Sequence, residues 1–76
     1  MIQPRCIYHF NIVKPYGTRK GYIYTLQRDG DYMEYTFIKD FDIYTCNVNS
    51  VLASSLTLIE SNVDLPTIDS HPEYFL

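Results

Sequence analysis

Two runs of alternating apolar and polar residues, 22–28 and 31–38, flank an Asp-Gly pair and predict a β-hairpin. Asp29-Gly30 is typical of a two-residue type I′ turn, because both central residues of that turn need a positive φ. On the predicted apolar face, the facing pairs are Leu26 with Met33, Tyr24 with Tyr35, and Tyr22 with Phe37. Moving the turn to Gly30-Asp31 changes the partners but not the faces, because side chains alternate with period two.

A strand over residues 5–13 precedes the hairpin, since apolar residues alternate there with a mixed set. Residues 14–21 contain a proline and two glycines and predict a loop that carries three cations, Lys14, Arg19 and Lys20. Together the strands predict a sheet with one apolar face, and such a face needs a cover.

The predicted cover is a helix at about residues 50–60, with Asn49 or Ser50 as its N-cap. Apolar residues recur at helical spacing around this segment: Phe41, Tyr44, Val48, Leu52, Leu56, Ile59 and Val63. β-Branched residues and asparagines oppose a helix before residue 50, so 41–47 is predicted to be a short strand or irregular. An all-β alternative places a strand at 55–61 instead of the helix.

The predicted fold is therefore α+β, with a three- or four-stranded antiparallel sheet in meander order and one helix covering one face. Residues 1–60 are expected to form this single small domain. Residues 61–76 are predicted to form an extended acidic tail, because Pro66 and Pro72 exclude a regular helix. The tail packs on its own sheet, on a second copy in a homodimer, or on a different partner.

Charge is divided unevenly along the 76 residues, whose net charge is −3. All six lysines and arginines lie within residues 1–39, whereas residues 40–76 contain six acids and neither of these cations. This asymmetry predicts an acidic C-terminal half that faces a basic partner or folds back on the basic half of the chain.

No sequence pattern predicts catalysis, a metal site or a cofactor. Only Cys6 and His9 are close together among the four soft ligands, which also include Cys46 and His71. On a strand, Cys6 and His9 point to opposite faces, whereas structural zinc sites use closely spaced ligand pairs. A nucleophilic Cys46 has no motif that places a base beside it. We therefore expect a non-enzymatic protein without a cofactor, and free Cys6 and Cys46 thiols, with a disulfide between them as the open alternative.

Apolar residues make up 46 % of the chain, which is enough for a globular core. No stretch approaches the ~20 consecutive apolar residues of a membrane span, and the N-terminal residues lack the apolar run of a signal peptide. We therefore expect a complete cytoplasmic protein with no membrane partner, located in the host cell if the protein is phage-encoded.

Residues 22–42 combine two aromatic strands, the Asp-Gly turn and a Phe37-x-x-x-Phe41 spacing. This arrangement resembles the three-strand-plus-helix arm-binding domains of phage integrases, and the resemblance implies DNA binding through cations on the exposed sheet face. The corresponding face here carries no cation: Ile23, Thr25, Gln27, Tyr32, Glu34 and Thr36. The alternative function is therefore a small nucleic-acid-binding domain whose contacts lie in the basic 14–20 loop, at Lys14, Arg19 and Lys20.

The favoured hypothesis is a small protein-binding module, because the sequence supports the other classes less well. The residues predicted to bind the partner are Tyr32, Glu34, Asp40, Asp42, Asp64, Asp69, Glu73, Tyr74 and Phe75. One version is a phage-type inhibitor of a larger host protein or nucleoprotein complex. In this anti-defence, anti-CRISPR-like version, the acidic face mimics nucleic acid and occupies a basic channel.

Overall fold

The computed structural model describes the backbone of residues 2–14 and 17–75, together with their side chains except those of residues 12–14, 18 and 19. In this part of the chain, one antiparallel sheet contains five strands: β1 (Ile7–Lys14), β2 (Gly17–Asp29), β3 (Tyr32–Phe37), β4 (Ile43–Asn47) and β5 (Thr57–Glu60). The strand order is β4-β3-β2-β1-β5, so the first four strands form a meander and β5 returns to the free edge of β1. The antiparallel sheet is confirmed, with five strands in place of three or four.

The helix predicted at about 50–60 is wrong in its length. Helix α1 spans only Val51–Ser54, where the Oγ of the N-cap Ser50 accepts a hydrogen bond from a first-turn N–H at 3.2 Å. Ser54 and Ser55 direct their hydroxyls to carbonyls one turn earlier, which competes with continuation of the helix backbone. The chain then forms β5, which lies within the strand that the all-β alternative places at 55–61.

The hairpin turn lies at Gly30-Asp31, and the predicted register of the hairpin is wrong. Gly30 adopts a φ of 61°, and the ladder begins with Asp29 opposite Tyr32. A bulge between Thr25 and Arg28 shifts the register by one residue, so Thr25 rather than Tyr24 pairs with Tyr35. Because a one-residue shift exchanges the faces, Tyr24 and Tyr35 are both buried but lie on opposite faces of the sheet.

One face of the sheet packs under α1 and forms what we call the helix-side core. Its buried residues are Ile2, Cys6, Tyr8, Ile23, Met33 and Tyr35. Leu52 and Ala53 of α1 pack against this cluster, as does Leu56 in the link to β5. A helix of four residues therefore covers this face only together with the segments on either side of it.

The opposite face of the sheet forms the tail-side core around Ile7, Tyr24 and Ile38. Val63, Tyr74 and Phe75 from the C-terminal segment pack on this cluster. The hydroxyl of Tyr24 donates a hydrogen bond to the carbonyl of Val63 at 2.6 Å. The segment contains a 3-10 helix at Pro72–Phe75. The described part of the tail therefore packs on its own sheet.

The stability of the fold is expected to fall at alkaline pH. Burial raises the pKa of the Tyr8 and Tyr35 hydroxyls and of the Cys46 thiol. The unfolded chain therefore loses these protons at a lower pH than the folded chain, so their stabilisation is complete below about pH 8 and is lost as the pH rises above the ordinary pKa values of about 8.5 for cysteine and about 10 for tyrosine. Urea unfolding at neutral pH and at about pH 10.5 measures the loss. Tyr35→Phe should reduce it, and a free energy of unfolding that stays constant over this range would contradict the expectation.

Candidate functional site

Strand β4 forms one edge of the sheet and carries none of the features that usually protect a sheet edge. Its sequence, from Ile43 to Asn47, contains no charged residue and no proline. It pairs with β3 in regular register from Thr36 opposite Ile43 to Tyr32 opposite Asn47, without a bulge. Edge strands of natural proteins are commonly protected by charges, prolines or bulges, because their unpaired backbone groups bind other strands.

The direction of the free backbone groups follows from one hydrogen bond just beyond β4. The N–H of Val48 donates to the carbonyl of Asp31 at 2.8 Å, in continuation of the β3–β4 register. Hydrogen-bonded and non-hydrogen-bonded pairs alternate in an antiparallel ladder. Ile43, Thr45 and Asn47 therefore occupy the non-hydrogen-bonded positions, and their N–H and C=O groups point away from β3. The carbonyl of Asn47 accepts a hydrogen bond from the N–H of Ser50 at 2.9 Å, so the outward carbonyls that a further strand can use are those of Ile43 and Thr45.

The opposite edge, β5, is interrupted and partly engaged. Its pairing with β1 contains an irregularity between Ile7 and Tyr8. The carboxylate of Glu60, its last residue, lies 2.9 Å from the Nε2 of His71, so a side chain of the tail contacts this end of the strand. Among the described strands, β4 is therefore the edge most open to a further strand.

Apolar side chains are exposed on the tail-side face of β3 and β4, beyond the area that the tail covers. Ile43 is 67 % exposed and Tyr32 is 56 % exposed. Glu34 lies between them, opposite Thr45 in the register. We call Tyr32, Glu34, Ile43 and Thr45 the edge patch. On the other face, Tyr44 stacks on Tyr35 with ring centroids 5.8 Å apart.

Acidic side chains occur at both ends of the edge patch as well as inside it. Asp40 and Asp42 are exposed in the connection that leads into β4, where Phe41 has a φ of 57°. Asp29 pairs with Tyr32 at the hairpin end, and Asp31 follows in the turn. Four of the predicted partner-binding residues, Tyr32, Glu34, Asp40 and Asp42, thus come from the same two strands and their connection.

The predicted partner-binding residues of the tail lie elsewhere. Asp64 is exposed and forms an ion pair with Arg5 at 3.0 Å, while Asp69 and Glu73 are exposed. The Tyr74 ring lies 4.4 Å from the Tyr22 ring, as measured between centroids. Burial raises the pKa of Tyr74, and the negative charges of Glu60 and Glu73 raise it further. Tyr74 and Phe75 belong to the tail-side core, so the tail contributes more to the fold than to the edge patch.

The prediction of a basic loop at 14–20 is wrong for its described residues, because Lys14 ends β1 and residues 17–20 begin β2. The side chains of Lys14 and Arg19 lie outside the described residues, so the predicted basic contacts are described only in part. Lys20 is exposed and lines a cleft of about 410 Å³ together with Lys39 and the rings of Tyr22 and Tyr74. Asp40 and Glu73 line the same cleft, so its described charges have both signs.

The described residues include two cysteines and two short helices. Cys6 and Cys46 are both free thiols, and burial raises the pKa of Cys46, which disfavours its nucleophilic thiolate. No cluster of three or more histidine, cysteine or acidic side chains is arranged to hold a metal ion in this part of the chain. Neither helix in the described ranges has the length and apolar character needed to cross a bilayer.

The sequence did not point to Ile43, Thr45 or the open backbone of β4 as parts of the edge patch. The sequence predicts a short strand or an irregular stretch at 41–47, but it does not predict that this strand lies at a sheet edge. The sequence feature that could have indicated an open edge is the uncharged run from Ile43 to Asn47, which follows Asp42. No protein-family model matches this chain, and neither a curated protein nor a solved structure is significantly similar to it.

Proposed function

We propose that this chain is a non-enzymatic protein-binding module that adds an extended segment of a larger partner to its sheet along β4. The observation that carries the proposal is the combination of an unprotected edge and exposed apolar side chains beside it. β-Strand addition uses main-chain hydrogen bonds for affinity and alternate side chains for specificity. The edge patch offers both.

The size of β4 sets the expected strength of binding. Ile43 and Thr45 present both an outward N–H and an outward C=O, whereas the Asn47 carbonyl is bonded to the N–H of Ser50. Each hydrogen bond formed contributes about 0.5–1.5 kcal/mol net. Burial of Ile43 and Tyr32 adds about 1.5–3 kcal/mol for a fully covered side chain, and less in proportion for one already half covered. Ordering the partner opposes these gains. The edge alone therefore supports moderate affinity, and tight binding requires further contacts.

The acids around the edge patch suit an inhibitor of a larger cytoplasmic complex, including one that acts on nucleic acid. Asp40 and Asp42 are exposed beside the open strand, so a partner that accepts β4 also meets their charge. A phage-type anti-defence protein that fills a basic channel would use this combination. The exposed acids around β4 are the observation that supports an inhibitor of this kind.

A proline at position 45 is expected to abolish partner capture while leaving the fold intact. The N–H of Thr45 points away from β3, so Thr45→Pro removes a donor that the sheet does not use. Thr45→Val is the matched control, because it keeps the N–H and the β-branched shape. Capture of partners from a lysate by the wild type and both variants, with urea unfolding as the fold check, measures the effect.

The outcomes separate the function classes. Loss of the same captured protein in Thr45→Pro but not in Thr45→Val supports strand addition. Equal capture by both variants would place the interface away from β4 and overturn the proposal. Retention of the purified chain on labelled duplex DNA, falling steeply with salt and lost in Lys20→Gln, would instead favour the nucleic-acid alternative.

A further inference from the structure

We propose that, when no other partner is bound, β4 pairs with the β4 strand of a second copy of the chain in an antiparallel two-fold dimer. This dimer goes beyond the proposed function, because it closes the open edge of β4 without a foreign segment. Three features of the edge support it: the positions of the free backbone groups, the side chains that the pair brings together and the charges that it keeps apart.

The free backbone groups of β4 match those of an identical strand. In an antiparallel pair, residues with outward N–H and C=O groups bond to partner residues whose groups also point outward. When Ile43 lies opposite Thr45 of the second copy, two-fold symmetry places Thr45 opposite Ile43 of the second copy. Each of these residue pairs then exchanges both of its N–H···O=C hydrogen bonds. The carbonyl of Asn47, which already accepts from the N–H of Ser50 at 2.9 Å, stays outside the pairing.

The neighbouring registers match the edge less well. Placing Thr45 opposite Thr45 brings Ile43 against Asn47, so a mostly exposed apolar side chain faces an amide and the carbonyl of Asn47 would need a second donor. Placing Ile43 opposite Ile43 brings Thr45 against Phe41, whose φ of 57° lies outside the extended region. The register with Ile43 opposite Thr45 is therefore the expected one.

This register brings two exposed tyrosines together on the helix-side face. Tyr44 lies between Ile43 and Thr45, so it lies opposite Tyr44 of the second copy. Its residue is 44 % exposed, and its ring already stacks on the ring of Tyr35. The two Tyr44 residues form a non-hydrogen-bonded pair, the kind in which facing side chains are closest. Aromatic cross-strand pairs stabilise a sheet, so the dimer extends the Tyr35–Tyr44 contact across the interface.

The same register separates the acids of the two copies. Strand β4 itself contains no charged residue. Glu34 lies opposite Thr45 on β3, so the two Glu34 residues are three strand spacings apart, about 14 Å, which exceeds the screening length of about 8 Å at physiological salt. Asp42 lies opposite Cys46 of the second copy, about 13 Å along the strands from the other Asp42. Neither acid therefore faces its own copy.

The small size of the contact makes the dimer weak and reversible. Stable interfaces take about 20–30 residues from each side, whereas β4 has five residues. The dimer is therefore expected to dissociate on dilution. A second copy and a partner segment use the same backbone groups, so each excludes the other. Dimerisation thus covers the edge at high chain concentration and gives way to a tighter partner.

Sedimentation of the purified chain over a range of concentrations tests the dimer. We expect the average mass of the wild type and of Thr45→Val to rise from that of a monomer towards that of a dimer. Thr45→Pro should stay monomeric with an unchanged unfolding curve, because proline removes an interface donor that β3 does not use. In the wild type, amide exchange at Ile43 and Thr45 should slow by about tenfold between dilute and concentrated samples.

A cysteine at the two-fold axis tests the register. Tyr44→Cys in a Cys46→Ser background brings two thiols to facing positions with Cα atoms about 4.5 Å apart, within the range of a disulfide. Leu58→Cys in the same background is the matched control, because Leu58 is 53 % exposed but lies on β5. Cys6 is buried and common to both variants. With oxidised glutathione, we expect Tyr44→Cys to form a covalent dimer at least about tenfold faster.

The outcomes for the dimer and for the proposed function are separate. A wild-type chain that is monomeric at every concentration, or a dimer that Thr45→Pro leaves unchanged, would overturn the dimer. Equal cross-linking of the Tyr44→Cys and Leu58→Cys variants would also overturn it. If the chain is monomeric but Thr45→Pro still loses the protein captured from a lysate, the proposed function stands alone. A β4 dimer together with equal capture by Thr45→Pro and Thr45→Val would support the dimer and overturn the proposed function.

Discussion

A chain that ends at Asn62 is expected to lose cooperative folding. Val63, Tyr74 and Phe75 cover the buried cluster of Ile7, Tyr24 and Ile38 on the tail-side face. Each large apolar side chain that leaves a buried position costs about 1.5–3 kcal/mol, and the exposed cluster adds a similar loss. Since a small domain has about 5–15 kcal/mol in total, removal of residues 63–76 is expected to consume most or all of its stability.

Urea unfolding followed by near-ultraviolet circular dichroism and amide resonances measures this effect. Ile68→Ser is the matched control in the full-length chain, because Ile68 is 64 % exposed and its replacement is expected to change the free energy of unfolding by less than about 0.5 kcal/mol. Tyr74→Ala should lower the free energy of unfolding by an intermediate amount of about 1–3 kcal/mol, since the Tyr74 ring is half-buried. A truncated chain that unfolds cooperatively at nearly the same urea concentration would instead show residues 63–76 to be dispensable for folding.

Local sequence signals predicted the sheet, the position of the hairpin and the acidic character of the second half. They did not predict which residues share a face in the hairpin, because the bulge between Thr25 and Arg28 depends on contacts from distant segments. The backbone and hydroxyl of Thr25 bond to Gln3, Arg5 and Cys6, about twenty positions away in sequence. The pattern of residues 22–38 alone cannot predict these hydrogen bonds, because their partners lie outside that segment.

Contacts between distant segments also explain why α1 is shorter than predicted and why part of the candidate site was not predicted. The helical spacing from Leu52 to Val63 is genuine, but β1 has a free edge, and pairing Thr57–Glu60 with it competes with a helix there. The prediction of Tyr32 and Glu34 came from the mixed aromatic and polar face of the hairpin, and that of Asp40 and Asp42 from the acidic second half of the chain. The exposed backbone of β4 was missed, because the position of a strand at an edge depends on the order of all the strands.

Thr25→Val is expected to destabilise the chain by about 2–4 kcal/mol, although the two side chains have almost the same shape. Thr25 is fully buried, and its hydroxyl donates to the carbonyl of Gln3 at 2.6 Å and accepts from the N–H of Cys6 at 3.0 Å. Valine leaves both backbone groups without this partner, and each unsatisfied buried group costs about 1–3 kcal/mol. The melting temperature should fall by about 8 °C or more, at about 4–8 °C per kcal/mol for a domain of this size.

Thr25→Ser distinguishes the contribution of the hydroxyl to stability from that of the methyl group. Serine keeps the donor and the acceptor and loses one methyl, so its expected cost is about 1 kcal/mol. Amide exchange at Cys6 provides a local readout, since its N–H should exchange faster in Thr25→Val than in Thr25→Ser. If valine proves as stable as threonine, or serine proves the more damaging change, then apolar packing rather than the hydroxyl holds the N-terminal segment against the sheet. The bulge would in that case need a different physical cause.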